Sequence, residues 1–143
     1  MANPTEPIAR ILIAEDEQFI RDVYVEMLNN EGFAVDVAVD GKQALEKLQV
    51  GGYDLVLLDI MMPFIDGLGV LMKLKETPAQ NPNKHIVICT SLAADPAVKD
   101  ALDHGAEDVV FKPDVTPDQL VAKVKKVLAS SNLPDHPVNG TNN

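Results

Sequence analysis

The length, composition and charge of this 143-residue chain already exclude several classes of protein. With 46% hydrophobic residues it has enough apolar material for one core, and its single cysteine, Cys89, excludes an internal disulfide and fits a reducing compartment. The net charge of −10 argues against nucleic acid or an anionic membrane as a partner, and the polar N-terminus lacks the apolar segment of a signal peptide. We therefore expect a cytoplasmic protein.

In the first half of the chain, short apolar runs alternate with helical patterns. Residues 11–14 predict a strand, and the apolar residues after it recur at helical spacing until Gly32. Residues 33–39 alternate in polarity, which predicts an edge strand with one wetter face. The Asp40-Gly41 turn then begins a short helix, which a pair of glycines closes.

The second half continues this alternation. Residues 55–58 are apolar on both faces, as expected of a central parallel strand, and a helix follows them. Residues 86–89 and 109–111 predict two more strands, and Asp95 followed by proline predicts the start of the helix between them. A capping box at residues 116–119 begins the last helix.

Repeated strand–helix units predict an α/β fold with a parallel sheet. We expect a single doubly wound (βα)5 domain at residues 8–130, with disordered segments at 1–7 and 131–143. Right-handed crossovers place helices on both faces of such a sheet. The candidate site described next needs strands one and three to be neighbours, which favours a five-stranded, flavodoxin-like sheet of order 2-1-3-4-5.

Five side chains that carry chemistry follow the predicted strands. Glu15 and Asp16 end the first strand, Asp59 ends the third, Thr90 ends the fourth and Lys112 ends the fifth. Ligands of open α/β sheets bind at the carboxyl ends of the strands, so these side chains are expected to meet at one edge. Three carboxylates, one hydroxyl and one ammonium predict a site for a divalent metal and a phosphoryl group.

Magnesium suits this set of side chains because it takes oxygen ligands and relieves the repulsion between neighbouring carboxylates. Asp16 and Asp59 are expected to bind Mg²⁺ directly, Glu15 through water, and the backbone carbonyl of Met61 is a further candidate ligand. Asp59 can accept a phosphoryl group as an acyl phosphate, whose oxygens Lys112 and Thr90 would contact. The competing interpretation is that Glu15, Asp16 and Glu17 only supply the N-cap and first-turn charges of the helix that follows.

These residues resemble the receiver domain of bacterial two-component response regulators over about residues 8–130. The resemblance implies a switch that a histidine kinase or histidine phosphotransfer protein phosphorylates on Asp59, with Mg²⁺ bound by Glu15, Asp16, Asp59 and the Met61 carbonyl. It also implies that Thr90 and Lys112 sense the phosphoryl group, and that the protein is not a conventional enzyme. The motifs that carry it are IAEDE at 13–17, LLDIMMP at 57–63, DG at 66–67, CTS at 89–91, GA at 105–106 and KP at 112–113.

The sequence departs from the family pattern near the site. Val109 stands where members often have an aromatic residue that swings inward on activation. Phe64 replaces a residue that is frequently small, and Ser91 replaces a common alanine. In the resembled family, the side chains two positions after the phosphorylated Asp and two after the Thr flank the path of the hydrolytic water. Here these positions are the apolar Met61 and Leu92, so the resemblance implies slow loss of the phosphoryl group.

Several readings of the whole protein stay open at this point. The leading one is a stand-alone switch whose output is a protein–protein contact or onward phosphoryl transfer. The chain is also compatible with a receiver cut from a larger response regulator or hybrid kinase. An aspartyl-nucleophile phosphohydrolase is disfavoured because the first strand does not end in Asp-x-Asp, and a scaffold-only receiver is disfavoured because all five site residues are present.

Overall fold

A computed structural model describes residues 9–92 and 94–131 of the chain. The segments predicted to be disordered, 1–7 and 131–143, lie outside the described residues, apart from Ser131 in the last helix. The strands are β1 (Arg10–Ala14), β2 (Ala34–Ala38), β3 (Leu55–Leu58), β4 (His85–Thr90) and β5 (Asp108–Phe111). The helices are α1 (Gln18–Asn30), α2 (Gly41–Val50), α3 (Gly67–Glu76), α4 (Pro96–Asp103) and α5 (Pro117–Ser131).

The five strands form one parallel sheet in the order β2-β1-β3-β4-β5, as predicted. The expected α/β class and doubly wound topology are therefore confirmed, and β2 is an edge strand. One feature was not predicted: residues Lys112–Asp114 form a short 3-10 turn between β5 and α5. Pro113 lies inside this turn, where its fixed φ suits the tight helical geometry.

Alternate residues of the strands supply two hydrophobic cores, one on each face of the sheet. Helices α2, α3 and α4 cover the face that includes Leu12, Val56 and Ile88. Helices α1 and α5 cover the opposite face, to which Ile13 and Cys89 belong. Cys89 is a free, buried cysteine within this core. Burial of β1 and β3 on both faces explains why their sequences read as continuous apolar runs.

The predicted helix starts match the structure, because their capping side chains make the expected hydrogen bonds. The Asp40 and Asp95 carboxylates accept backbone N–H groups at the starts of α2 and α4. Thr116 and Gln119 form the reciprocal bonds of a capping box before α5. None of the helices within the described ranges has the length and apolar character needed to cross a lipid bilayer.

Candidate phosphoryl and metal site

The carboxyl edge of the sheet brings together the three predicted carboxylates. Ala14 lies opposite Leu58 in the β1–β3 register, so Glu15 and Asp59 leave neighbouring strands at the same level. The Asp59 N–H donates to the Ala14 carbonyl at 3.1 Å, which fixes this alignment. Carboxylate oxygens of Glu15, Asp16 and Asp59 lie within 4.8 Å of one another, and this is a group of acidic residues that could hold a metal ion.

The side chain of Lys112, which directly follows β5, forms hydrogen bonds to two of these carboxylates. Its Nζ donates to Asp59 Oδ2 at 2.9 Å and also to Glu15 Oε1. The second oxygen of each carboxylate accepts a backbone N–H two residues further on: Glu17 N–H for Glu15, and Met61 N–H for Asp59. Both acidic side chains are therefore held at two points in defined orientations.

The environment of the carboxylates is electrostatically unbalanced. Glu15 and Asp59 are 3% and 5% exposed, whereas Asp16 is exposed to solvent. Burial raises the pKa of Glu15 and of Asp59, although the hydrogen bonds from Lys112 act in the opposite direction. Burial also acts to lower the pKa of Lys112, but its bonds to the two carboxylates outweigh this and raise it. One ammonium thus faces three carboxylates, which leaves the pocket short of positive charge.

The structure argues against a purely helix-capping role for the acidic residues of the β1–α1 loop. Glu17 is the N-cap of α1, yet its side chain makes no capping hydrogen bond. The Glu15 carboxylate instead turns toward Lys112 and the end of β3. Glu15 therefore bonds both to Lys112 in the pocket and to the backbone N–H of Glu17 at the start of α1.

Thr90 is fully buried at the end of β4, next to the strand that carries Asp59. Its Oγ1 accepts a hydrogen bond from the Leu92 N–H at 3.1 Å. Because the oxygen is the acceptor in this bond, the hydroxyl hydrogen can be donated to another oxygen. The bond also connects the hydroxyl to the start of the β4–α4 loop.

The β3–α3 loop beside Asp59 adopts a backbone conformation that the sequence pattern did not reveal. Phe64 has φ = 70°, and the Ile65 N–H donates to the Pro63 carbonyl at 2.8 Å, so the chain makes a γ-turn centred on Phe64. The side chain is 83% exposed. A positive φ favours glycine and disfavours bulky residues, which explains why phenylalanine looked out of place here.

Gly67 closes this loop against the strand. A Cβ atom at this position would lie 2.3 Å from the Asp59 carbonyl oxygen, closer than any real contact. The Gly67 N–H instead donates to the Ile60 carbonyl at 2.8 Å. The Asp66-Gly67 pair in the sequence therefore has two tasks: Asp66 caps α3 and Gly67 lets the helix start beside Asp59.

Two residues near the site were missed or only partly understood from the sequence. Arg21 of α1 donates from NH1 to the backbone carbonyls of Glu15 and Asp16, at 2.8 and 3.2 Å. A basic residue one turn into the helix after the acidic pair was the available signal.

Val109, at the position often aromatic in the family, is a partly buried side chain that packs against the core beneath α2, α3 and α4.

The model of the response regulator receiver domain family matches residues 11–125 of the chain. The chain belongs to this family. It is 36% identical over 120 residues to the chemotaxis protein CheY of Bacillus subtilis, covering 83% of this receiver chain and 97% of CheY. The receiver domain is a signalling module and not a classical enzyme, so the phosphohydrolase reading is set aside.

Other relatives of this receiver are longer or bear a ligand. The transcriptional regulatory protein DltR of Streptococcus agalactiae is 37% identical over 124 residues, which are 87% of this chain and 54% of DltR. The receiver thus spans about half the length of that relative. The solved structure of response regulator TrrA from Thermotoga maritima, in complex with Mg²⁺–BeF, is 35% identical with a TM-score of 0.66, covering 84% of this chain and 99% of TrrA.

Proposed function

We propose that this receiver is a phosphorylation-controlled switch in which Asp59 accepts a phosphoryl group from a histidine kinase or a histidine phosphotransfer protein. The observation that carries the proposal is the position of Asp59. Its carboxylate is buried at the sheet edge, grouped with Glu15 and Asp16, and bonded to Lys112. An acidic pocket of this kind is compatible with a phospho-aspartate switch, and receiver domains interact with histidine kinases.

The donor set fits Mg²⁺. Glu15, Asp16 and Asp59 offer carboxylate oxygens within one small region, and the ion prefers oxygen ligands with only one or two carboxylates bound directly. Asp16 and Asp59 are proposed as the direct ligands, with Glu15 acting through water and the Met61 carbonyl as a further ligand. When bound, the ion would neutralise charge on the transferring phosphoryl group. The related TrrA was solved with Mg²⁺–BeF, which supports the assignment.

The transfer itself is a displacement at phosphorus. An Asp59 carboxylate oxygen attacks the phosphorus of phosphohistidine, a P–O bond forms and the P–N bond breaks. The electron pair of the broken bond stays on the imidazole nitrogen of the donor, and Asp59 becomes an acyl phosphate. Asp59 needs to be ionised for this attack, and the ammonium of Lys112 at 2.9 Å favours the ionised form.

Lys112 and Thr90 are proposed to contact the phosphoryl oxygens once they are present. Lys112 already lies against Asp59 and is held in the charged state by its two carboxylate partners. The buried hydroxyl of Thr90 can donate to a phosphoryl oxygen, and its bond to Leu92 connects that event to the β4–α4 loop. Output would then proceed through protein contacts or onward phosphoryl transfer, in a free receiver or in a longer regulator.

An apolar surface beside the site supports a protein as the phosphoryl donor. A cavity of about 220 Å³ opens next to Lys112 and is lined by Phe19, Ile20, Val23, Tyr24, Lys112 and Pro117. Phe19 is 77% exposed at its rim. Exposed apolar side chains next to a buried reactive group are typical of a surface that binds another protein.

The proposal is tested with an acyl phosphate as donor, because this needs no knowledge of the partner kinase. Acetyl phosphate with Mg²⁺ is expected to add the mass of one phosphoryl group to the intact protein, and Asp59→Asn is expected to abolish the addition. Asp36→Asn, which removes a lysine-bonded carboxylate on the edge strand β2 and outside the acidic group, serves as the matched control and should still be modified. Equal modification of wild type and Asp59→Asn would show that the assigned residue is wrong.

A further inference from the structure

Arg21 connects helix α1 to the backbone of two proposed metal-binding residues. Its NH1 group donates to the carbonyl oxygen of Glu15 at 2.8 Å and to that of Asp16 at 3.2 Å. These carbonyls lie beyond the end of β1, between the sheet and the helix. Bonds from a charged donor are about twice as strong as neutral ones, so the two carbonyls are firmly held.

The position of Arg21 is unusual for a cation. It lies in the first turn of α1, where the helix dipole disfavours positive charge. Side chains in a helix point back toward its N-terminus, so a long side chain at this position reaches the preceding loop. The Arg21 N–H also donates to the Glu17 carbonyl at 3.0 Å. This last bond is the ordinary i→i−4 backbone bond of a helix, which any residue here would make, so the Arg21 side chain itself holds the loop at Glu15 and Asp16.

We infer that Arg21 is a positioning residue for the metal site: it fixes the backbone of Glu15 and Asp16 so that their carboxylates face Asp59 before Mg²⁺ binds. The inference rests on the proposed function of the pocket. The Glu17 side chain makes no capping bond in the β1–α1 loop, and Arg21 supplies a restraint from the helix to the carbonyl oxygens of Glu15 and Asp16. Without it, the backbone of the two residues would have to become ordered when Mg²⁺ binds, and that loss of conformational entropy would weaken binding.

An opposing effect has to be considered, because Arg21 brings positive charge toward a site for a cation. If repulsion dominated, removal of the guanidinium would tighten Mg²⁺ binding. The guanidinium bonds to carbonyl oxygens, and solvent around the exposed Asp16 screens its charge from the ion. We therefore expect the loss of positioning to outweigh the relief of repulsion, and the two effects predict opposite signs.

The experiment compares Mg²⁺ affinity, measured by isothermal titration calorimetry, in wild type, Arg21→Met and Arg21→Lys. Arg21→Met is expected to weaken binding about 3- to 10-fold, below or at the low end of the loss seen when outer-shell partners are removed. Arg21→Lys should recover part of the loss, because an ammonium can still donate to a carbonyl. With acetyl phosphate, Arg21→Met should need more Mg²⁺ for half-maximal phosphorylation but reach a similar rate at saturation.

Arg10 gives a matched control because it is the chain's other arginine. It too donates to a backbone carbonyl, that of Gly52 at 3.1 Å, but it belongs to the opposite end of the sheet. Arg10→Met should lower stability and leave Mg²⁺ affinity unchanged. If the wild type binds Mg²⁺ and Arg21→Met binds it equally well or more tightly, the positioning role of Arg21 is wrong and the proposed function is unaffected. A wild type that binds no Mg²⁺ would overturn the proposed function and this inference together.

Discussion

This protein has one carboxylate cluster around Asp36 and another around Asp59. Each cluster includes a lysine, yet the pKa values of the two aspartates shift in opposite directions. Asp36 on the edge strand β2 accepts bonds from Lys47 at 2.8 Å and from the Tyr53 hydroxyl at 2.7 Å. Burial would raise the pKa of Asp36, but these bonds outweigh it and the pKa is lowered. The pKa of Asp59 is raised, because burial outweighs its bond to Lys112.

The difference lies in how completely each cluster is satisfied. Asp36 has a lysine of its own, a hydroxyl and the Val37 N–H, so its charge is compensated locally. In the pocket, Lys112 serves both Glu15 and Asp59, while Asp16 stands close to them. A cluster whose charges are compensated stabilises the fold. A cluster with excess negative charge can instead bind a cation or another positively charged group.

The largest expected effect concerns the lifetime of the phosphorylated pocket. Met61 and Leu92 are 55% and 43% exposed, so they stand at the rim and not in the core. Apolar side chains cannot orient a water, and water-positioning groups are worth about 10²–10⁴-fold in rate where they act. Met61→Asn/Leu92→Glu is expected to speed phosphoryl loss by about 10-fold or more, as followed after removal of the donor in excess Mg²⁺.

The control for this effect is Met72→Asn/Leu102→Glu, because these apolar side chains have similar exposure but lie on helices α3 and α4. The control should decay like the wild type. A rim variant that decays no faster than the wild type would mean that Met61 and Leu92 do not control access of water.

The second prediction exchanges each aspartate for asparagine and measures the free energy of unfolding without Mg²⁺. Asp36→Asn should lose about 1–3 kcal/mol, because the amide has one acceptor oxygen where the carboxylate has two, so either Lys47 or Tyr53 loses its bond to this side chain. Asp59→Asn should gain roughly 1 kcal/mol, a typical size for a single substitution, because it removes a buried charge that is incompletely paired. The contrast between the two clusters is wrong if urea melts show that both substitutions change the free energy of unfolding in the same direction.

The third prediction adds Mg²⁺. A ligand that binds only the folded state adds about 2.7 kcal/mol of stability at 100 times its dissociation constant. Wild type should therefore melt at a higher temperature with Mg²⁺, and the increase should be smaller in Asp16→Asn. Asp36→Asn should keep the full increase even though its starting stability is lower. Identical melting curves of the wild type with and without Mg²⁺ would contradict the metal site.

The smallest effect is the pH dependence contributed by Asp36. Its folded-state pKa is below the unfolded value, so its stabilising contribution is present above the unfolded pKa and is lost as pH falls through the folded pKa. The contribution should be below about 1 kcal/mol, because the side chain is partly exposed and solvent screens the pair. Asp36→Asn should flatten the acid side of the stability profile. A profile as steep as that of the wild type would assign the slope to other carboxylates.

Much of the fold and of the site follows from local sequence features. The apolar runs and their terminal polar residues predicted the sheet order, because residues that end parallel strands must share one edge. The gathering of Glu15, Asp16 and Asp59 and the approach of Lys112 were predictable for the same reason. The roles assigned to these side chains, and to Thr90 and Met61, stay predictions.

Other features could not be predicted, because they depend on loop conformation and side-chain orientation, which the sequence pattern does not encode. The γ-turn at Phe64 is imposed by the surrounding loop against the residue's own preference. The network around Asp36 joins residues 17 positions apart, through Tyr53, on an edge strand that was expected only to be wetter. The contacts of Arg21 depend on the exit angle of α1, which sets where a long side chain ends.

The most direct test of the contrast between the two clusters is to identify which carboxylate carries an acyl phosphate. The protein is phosphorylated with acetyl phosphate and Mg²⁺, treated with hydroxylamine, which converts an acyl phosphate to a hydroxamate, and mapped by peptide mass spectrometry. The account predicts a hydroxamate at Asp59, none at Asp36, and none when Mg²⁺ is removed. A hydroxamate at Asp36, or phosphoryl incorporation that hydroxylamine does not release, would contradict it.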